Sequence, residues 1–253
     1  MPALLLFPAG LLVGSFVSVI AHRVPRGEPF VAGRSRCPEC GAAVAAYDNI
    51  PVLSYLLLRG HCRSCGERIS PRYPLTELGL GALYVGTFLA LDDEGAGELV
   101  LGLVLCTLLV AITLTDLDLR LIPNAIVLPG TIVGAVILGA VDPGALPEHL
   151  LAAIVAGGLL LVVAVAYPRG MGMGDAKLVA MMGIYLGKAV APAVLIGFLA
   201  GAAVGAAMIA RHGSEARKHA IPFGPFLALG GVIGLWFGEE IVDWYTSEFS
   251  GGT

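Results

Sequence analysis

Long apolar runs dominate this chain, and they restrict it to a small set of folds. Stretches such as Leu4–Ala21, Leu99–Thr115 and Ile122–Val141 carry no charged side chain. About 17–25 such residues make a helix long enough to cross a bilayer. In lipid, a backbone that must satisfy its own hydrogen bonds has few options besides the helix. Charged residues make up 13% of the 253, roughly half the ~25% usual in soluble domains. The expected fold is therefore an all-α polytopic membrane protein with about eight transmembrane helices. The spans are Leu4–Ala21, Leu75–Leu91, Leu99–Thr115, Ile122–Val141, Leu150–Tyr167, Ala176–Gly187, Val190–Ala210 and Phe223–Val242. The sixth is short, with Gly183 inside it and Gly187 at its end. An even number of crossings places both termini on one side. The first stretch has no basic residue ahead of it and no small-residue cleavage site behind it, so it is expected to stay as a helix.

Charge sets the expected orientation. The Arg23–Arg72 block, the Asp116–Arg120 turn, the Arg169–Lys177 turn and the Arg211–Lys218 loop together hold 14 of the 15 Lys and Arg residues. Only Lys188 falls opposite. The other side is acidic, with Asp92, Asp93, Glu94, Glu98, Asp142 and Glu148 in loops and Glu239, Glu240, Asp243 and Glu248 in the tail. The positive-inside rule makes the basic side cytoplasmic.

The polar block after the first span holds two cysteine pairs, Cys37-Pro38-Glu39-Cys40 and Cys62-Arg63-Ser64-Cys65. Twenty-one residues separate the pairs, and Gly41 and Gly66 follow them. This spacing can bring four thiolates to one tetrahedral Zn²⁺, with glycines suited to the tight turns of metal knuckles; the alternatives are two structural disulfides or a redox pair. A cytoplasmic block favours metal over disulfides, and one this small needs the metal to hold its fold. Cys106, inside an apolar span, is expected to be a buried small residue.

Ionisable groups at membrane spans are costly and tend to be functional. Asp116 and Asp118 stand where the third span ends, and Asp175 where the sixth begins, all on the basic side. Two carboxylates from distant parts of the chain, brought to one depth, are what aspartic-type proteolysis needs: one ionised, one protonated. Against this, Asp175 could merely cap its helix. Asp118, two residues from Asp116, faces another side of the helix and could pair with Arg120. Glycines on both sides of Met173 let backbone approach a substrate strand closely.

Taken together, the motifs resemble the type IV prepilin peptidases. The resemblance rests on Gly14-Ser15-Phe16-Val17-Ser18-Val19 with His22-Arg23-Val24-Pro25, the two cysteine pairs, and Tyr47-Asp48-Asn49-Ile50-Pro51. It continues through Arg72-Tyr73-Pro74-Leu75-Thr76-Glu77, the Asp116–Asn124 segment and Gly172-Met173-Gly174-Asp175 with Lys177. The last segment also looks like the GxGD motif of presenilin-type intramembrane proteases. The resemblance implies an aspartic endopeptidase that trims the basic leader of prepilin and pseudopilin precursors at the cytoplasmic face of the bacterial inner membrane. In many such enzymes methylation of the new N-terminus follows, with S-adenosylmethionine as donor. It implies catalytic roles for Asp116 and Asp175 and zinc ligation by Cys37, Cys40, Cys62 and Cys65. The implied division is a first transmembrane helix (1–22), a cytoplasmic zinc-binding module (23–74) and a helical membrane peptidase core (75–253).

His61 departs from the family, whose members often carry Lys just before the third cysteine; this bears on methyl transfer. Gly60 and the Arg23-to-Pro51 stretch are the expected neighbourhood of the methyl donor, although no glycine-rich nucleotide fingerprint marks it. Glu28, Glu39, Glu67 and Glu77 are expected to contact the basic leader. The zinc block is expected to face anionic lipid, and no basic and aromatic patch suggests nucleic acid. Two other readings are a transporter with a carboxylate-lined ion path and an assembly scaffold that uses the zinc module alone. The first would require polar residues in mid-span, where Gly, Ala, Leu and Val prevail; the second leaves both Asp motifs idle. Gly197, Gly201 and Gly205, at four-residue intervals, are expected to pack helices closely.

Overall fold

A computed structural model describes residues 2–29, 35–91, 94–168, 170–212 and 221–250. Arg34, Asp92, Asp93, Arg169 and the greater part of the Arg211–Lys218 loop, used above for orientation, lie outside these residues. The described chain is helical and falls into two units, Met1–Leu89 and Ala90–Thr253.

In the first unit, α1 (Pro2–Arg23) and α3 (Arg72–Ala90) flank an irregular segment that contains the short helix α2 (Leu53–Leu57). Glycine brings the two long helices together. A Cβ on Gly10 would lie 2.7 Å from the Cα of Gly81, and one on Gly14 would lie 2.8 Å from the Cα of Glu77. Backbone therefore packs on backbone at two points one helical turn apart.

The second unit holds α4 (Ala96–Leu119), α5 (Asn124–Val141), α6 (Leu146–Ala166), α7 (Met173–Leu186), α8 (Val190–His212) and α9 (Gly224–Ser250). Helix α7 is the core: Leu178, Val179, Met181 and Met182 are fully buried, and α4, α5, α6 and α9 all pack on it. Its 14 residues reach only about 21 Å, short of the ~30 Å hydrocarbon core. A helix that is apolar all round and walled in by others can be short, because protein and not lipid surrounds it. Gly183 lets α6 close on it, since a Cβ there would lie 2.5 Å from the Cα of Ala153. The Tyr185 hydroxyl donates to the Gly130 carbonyl of α5 at 2.7 Å.

Each of the eight expected spans corresponds to a helix, α1 and α3 to α9. Six stretches are long and apolar enough to cross a membrane on length and composition alone. The count is lower for two reasons. Met173–Arg211 is one apolar stretch of 39 residues, yet it holds both α7 and α8, which a 3₁₀ turn at Gly187–Ala189 separates. Helix α3 is not among the six, because Tyr73, Thr76 and Glu77 dilute its first turns. Gly197 and Gly201 do sit close against Leu227 of α9 and Phe223 just ahead of it, whereas Gly205 has no neighbour within 4 Å among the described residues. Lys188 Nζ lies 3.3 Å from Asp243 Oδ1, so the lone basic residue of the acidic side meets an acid of the tail.

Candidate functional site

Asp116 occupies the last turn of α4, which Arg120 terminates. Arg120 takes a left-handed conformation (φ 52°), and its N–H donates to the Asp116 carbonyl at 2.9 Å. The Asp116 side chain turns inward and is 6% exposed, whereas Asp118 is exposed. The helix periodicity that separates them thus places one carboxylate in the protein and one outside it.

Gly224, the first residue of α9, donates its N–H to Asp116 Oδ2 at 2.8 Å, across 108 residues of sequence. The first N–H groups of a helix have no partner within it and suit an anion. The approach demands glycine, because a Cβ at position 224 would lie 2.8 Å from that same oxygen. Sequence reading missed Gly224. Its signal is the Pro222-Phe223-Gly224-Pro225 run just before an apolar stretch, where proline marks a helix start.

Asp175 lies in the first turn of α7, which begins three residues earlier than the sequence suggested. The helix cap is Gly172, not Asp175. The Asp175 carboxylate instead reaches back as the N3 residue, accepting the Gly172 N–H on Oδ2 at 3.1 Å. It is 9% exposed, against 55% for Met173 beside it.

Two contacts tie the Asp116 and Asp175 motifs together. Gly174 packs on Ile122, where an added Cβ would lie 3.0 Å from the isoleucine Cβ. Lys177 Nζ donates to Asn124 Oδ1 at 3.0 Å. A single end of the second unit thus carries two inward carboxylates, each held through Oδ2 by a backbone N–H of a glycine.

In the first unit, the Sγ atoms of Cys37, Cys40, Cys62 and Cys65 all lie within 4.8 Å of one another. Cys37 and Cys65 are 3.9 Å apart, close to the ~3.8 Å edge of a tetrahedral Zn–S₄ site with ~2.3 Å bonds. The cluster is built from one hairpin used twice. Gly41 N–H donates to Cys37 O and Cys37 N–H to Ala42 O; Gly66 N–H donates to Cys62 O and Cys62 N–H to Glu67 O. Gly41 and Gly66 hold left-handed φ values of 71° and 73°, which favour glycine. N–H groups of Cys65 and Ser64 pull the Cys62 thiol down, while the Cys65 thiol, against the pull of the Glu67 N–H, is pushed up by burial and the neighbouring thiols. These residues fit zinc. Beside the cluster, Arg63 makes a bidentate pair with Asp48 (2.6 and 2.7 Å) and holds its carboxyl below the usual range. His61 is exposed, its Nδ1 2.7 Å from Arg59 O.

Comparison with known proteins divides the chain at the same place as the fold. Residues 9–91 match the bacterial peptidase A24 N-terminal domain, and residues 103–206 match the type IV leader peptidase family. A protein of Aeromonas hydrophila named prepilin leader peptidase/N-methyltransferase is 36% identical, over 97% of this chain and 94% of its own length. Proteins of the same name from Pseudomonas putida and Burkholderia pseudomallei are 37% and 36% identical. They cover 92% and 90% of this chain, and 89% and 83% of themselves. The chain belongs to the type IV leader peptidase family. No solved structure matches it. The leader peptidase match contains Asp116 and Asp175, and the N-terminal match contains the four cysteines. A multi-pass membrane protein is what both the family and the apolar helices describe.

Proposed function

We propose that this chain is an aspartic endopeptidase that removes the leader from prepilin and pseudopilin precursors and N-methylates the new terminus. The observation that carries the proteolytic reading is the joining of the two Asp motifs at one end of the second unit. Two close carboxylates in a water-poor site share a proton. The ionised one takes a proton from water as the water attacks the peptide carbonyl. The protonated one donates to the carbonyl oxygen, and the roles reverse as the amine leaves. Gly224 N–H and Gly172 N–H hold one oxygen of each carboxylate and leave Oδ1 of each to carry the chemistry.

The remaining assignments follow the same reading. Cys37, Cys40, Cys62 and Cys65 hold a structural Zn²⁺, and S-adenosylmethionine is the methyl donor. Residues 1–22, 23–74 and 75–253 act as first transmembrane helix, zinc module and peptidase core. The protein resides in the bacterial inner membrane, and the excess of Lys and Arg on one side supports placing both the zinc module and the aspartates in contact with the cytoplasm. The basic zinc module meets anionic lipid.

An ion path would need polar groups through the depth of the second unit. Among its described residues the buried Thr and Asp side chains are Thr115, Asp116 and Asp175, all at one end, and the buried Tyr185 hydroxyl is already bonded to the Gly130 carbonyl. The test is cleavage of a model prepilin in liposomes by wild type, Asp116→Asn and Asp175→Asn. Loss of cleavage in both variants, with fold and zinc content kept, is expected; cleavage by either variant at the wild-type rate refutes the dyad.

A further inference from the structure

The first unit contains a cavity of about 730 Å³, lined by residues between Ser15 and Glu77 and by none of the second unit. That volume lies in the ~300–1,000 Å³ range of small-ligand sites. The aspartate pair needs no such cavity, and the cysteines contribute only part of its wall.

Its most telling wall group is Glu77 of α3, which is 7% exposed. Among the described residues its hydrogen-bond donor is neutral, the Val52 N–H at 2.7 Å, and Ser15 lines the same cavity. Burying a carboxylate without a cationic partner is costly, and here the backbone is distorted to hold it. Val52 has φ 60° and ψ −49°, and the Leu53 N–H closes back on the Pro51 carbonyl. This is the rare γ-turn with positive φ, at a β-branched residue that seldom adopts it. The turn frees the Val52 N–H to point at Glu77. Strain held in this way marks functional sites.

The rest of the wall is also fixed. Ser54 is buried, accepts the Ile50 N–H at 3.1 Å and donates to the Tyr47 carbonyl at 2.9 Å, which pins the 47–50 segment to α2. Arg63 lies over Tyr47, 5.4 Å from the ring centroid, and both line the cavity. Tyr55, Tyr73 and Ser18 add aromatic surface and a hydroxyl. A held anion, aromatic faces and hydroxyls are what a positively charged nucleoside derivative needs.

We infer that this cavity binds S-adenosylmethionine, with Glu77 holding the donor's positive charge; this rests on the N-methyltransferase reading above. The donor, when bound, supplies a methyl group on a cationic sulfur. The cavity wall takes in much of the Arg23-to-Pro51 stretch, but Gly60 and His61 are not part of it. Glu77 is also set apart from Glu28, Glu39 and Glu67, which are exposed, so a leader contact suits those three and not Glu77.

The test is equilibrium binding of S-adenosylmethionine to the full-length protein in detergent, with thermal midpoint and zinc content checked for every variant. Glu77→Gln removes the charge, and Ala45→Phe fills the cavity from an extended-backbone position. Both are expected to weaken binding at least tenfold, while Asp116→Asn, outside the cavity, binds as wild type. In parallel, tritiated donor is photocrosslinked to wild type and mapped, with adducts expected among residues 15–77. Wild-type affinity in both folded variants, loss of binding in Asp116→Asn, or label within residues 90–253 overturns the site. If a variant fails to fold, the crosslink map decides. A wild type that cleaves prepilin but does not bind the donor overturns the methyltransferase reading itself, and this site with it.

Discussion

Gly224→Ala isolates the contribution of one backbone hydrogen bond to the carboxylate pair. The added Cβ would meet Asp116 Oδ2 at 2.8 Å, Cγ at 3.1 Å and Cβ at 3.2 Å, closer than ordinary van der Waals contact. Either the carboxylate turns away or α9 shifts, and both break the 2.8 Å bond from Gly224 N–H. A hydrogen bond to a charged group contributes about 1.5–3 kcal/mol, and ~1.4 kcal/mol is a factor of ten in rate. Cleavage of a model prepilin, measured as kcat/KM, is therefore expected to fall about 10- to 100-fold. Stability should follow it only in part, because overpacking costs about 1–3 kcal/mol, less than the ~5–15 kcal/mol that keeps a domain folded. Activity and thermal midpoint are thus expected to separate. Cleavage at the wild-type rate would refute the proposed role of Gly224. A fall in activity that only tracks unfolding would refute it too.

Asp118→Asn should cleave within about twofold of wild type, since Asp118 is exposed while Asp116 is buried; a loss like that of Asp116→Asn would mean that the wrong aspartate has been assigned. Cys37→Ser should lower bound zinc, measured by mass spectrometry of the native protein, and open residues 35–70 to limited proteolysis, because the knuckles have little apolar core of their own. Gly183→Val should lower the thermal midpoint, with about 1–3 kcal/mol of overpacking, because its Cβ would fall 2.5 Å from Ala153 Cα and 2.6 Å from Ala153 N. An unchanged midpoint would show that α6 and α7 do not pack as closely as described.

What could be read in the sequence was what is written locally. Apolar runs mark helices wherever lipid or core surrounds them, and C-x-x-C pairs followed by glycine mark knuckles because the turn itself needs those residues. Asp116 and Asp175 were legible because a carboxylate at the edge of an apolar run is costly. Gly224 was not, since a backbone N–H has no residue type of its own and its partner is 108 residues away. The Val52 turn was hidden for a related reason: valine is a poor choice for positive φ, so only the fold reveals it. The start of α7 was misplaced because hydropathy counts Met173, Gly174 and Asp175 as an edge, although the helix already includes them. That error bears on mechanism. Protein walls α7 on all sides, so the helix can begin with a carboxylate in its first turn. A lipid-facing helix of 14 residues would have to extend its apolar stretch to match the bilayer, leaving Asp175 outside and away from Asp116. Shortness, burial and the placement of Asp175 are one feature, and lengthening α7 by a turn ahead of Asp175 should separate the two aspartates without disturbing the rest of the core.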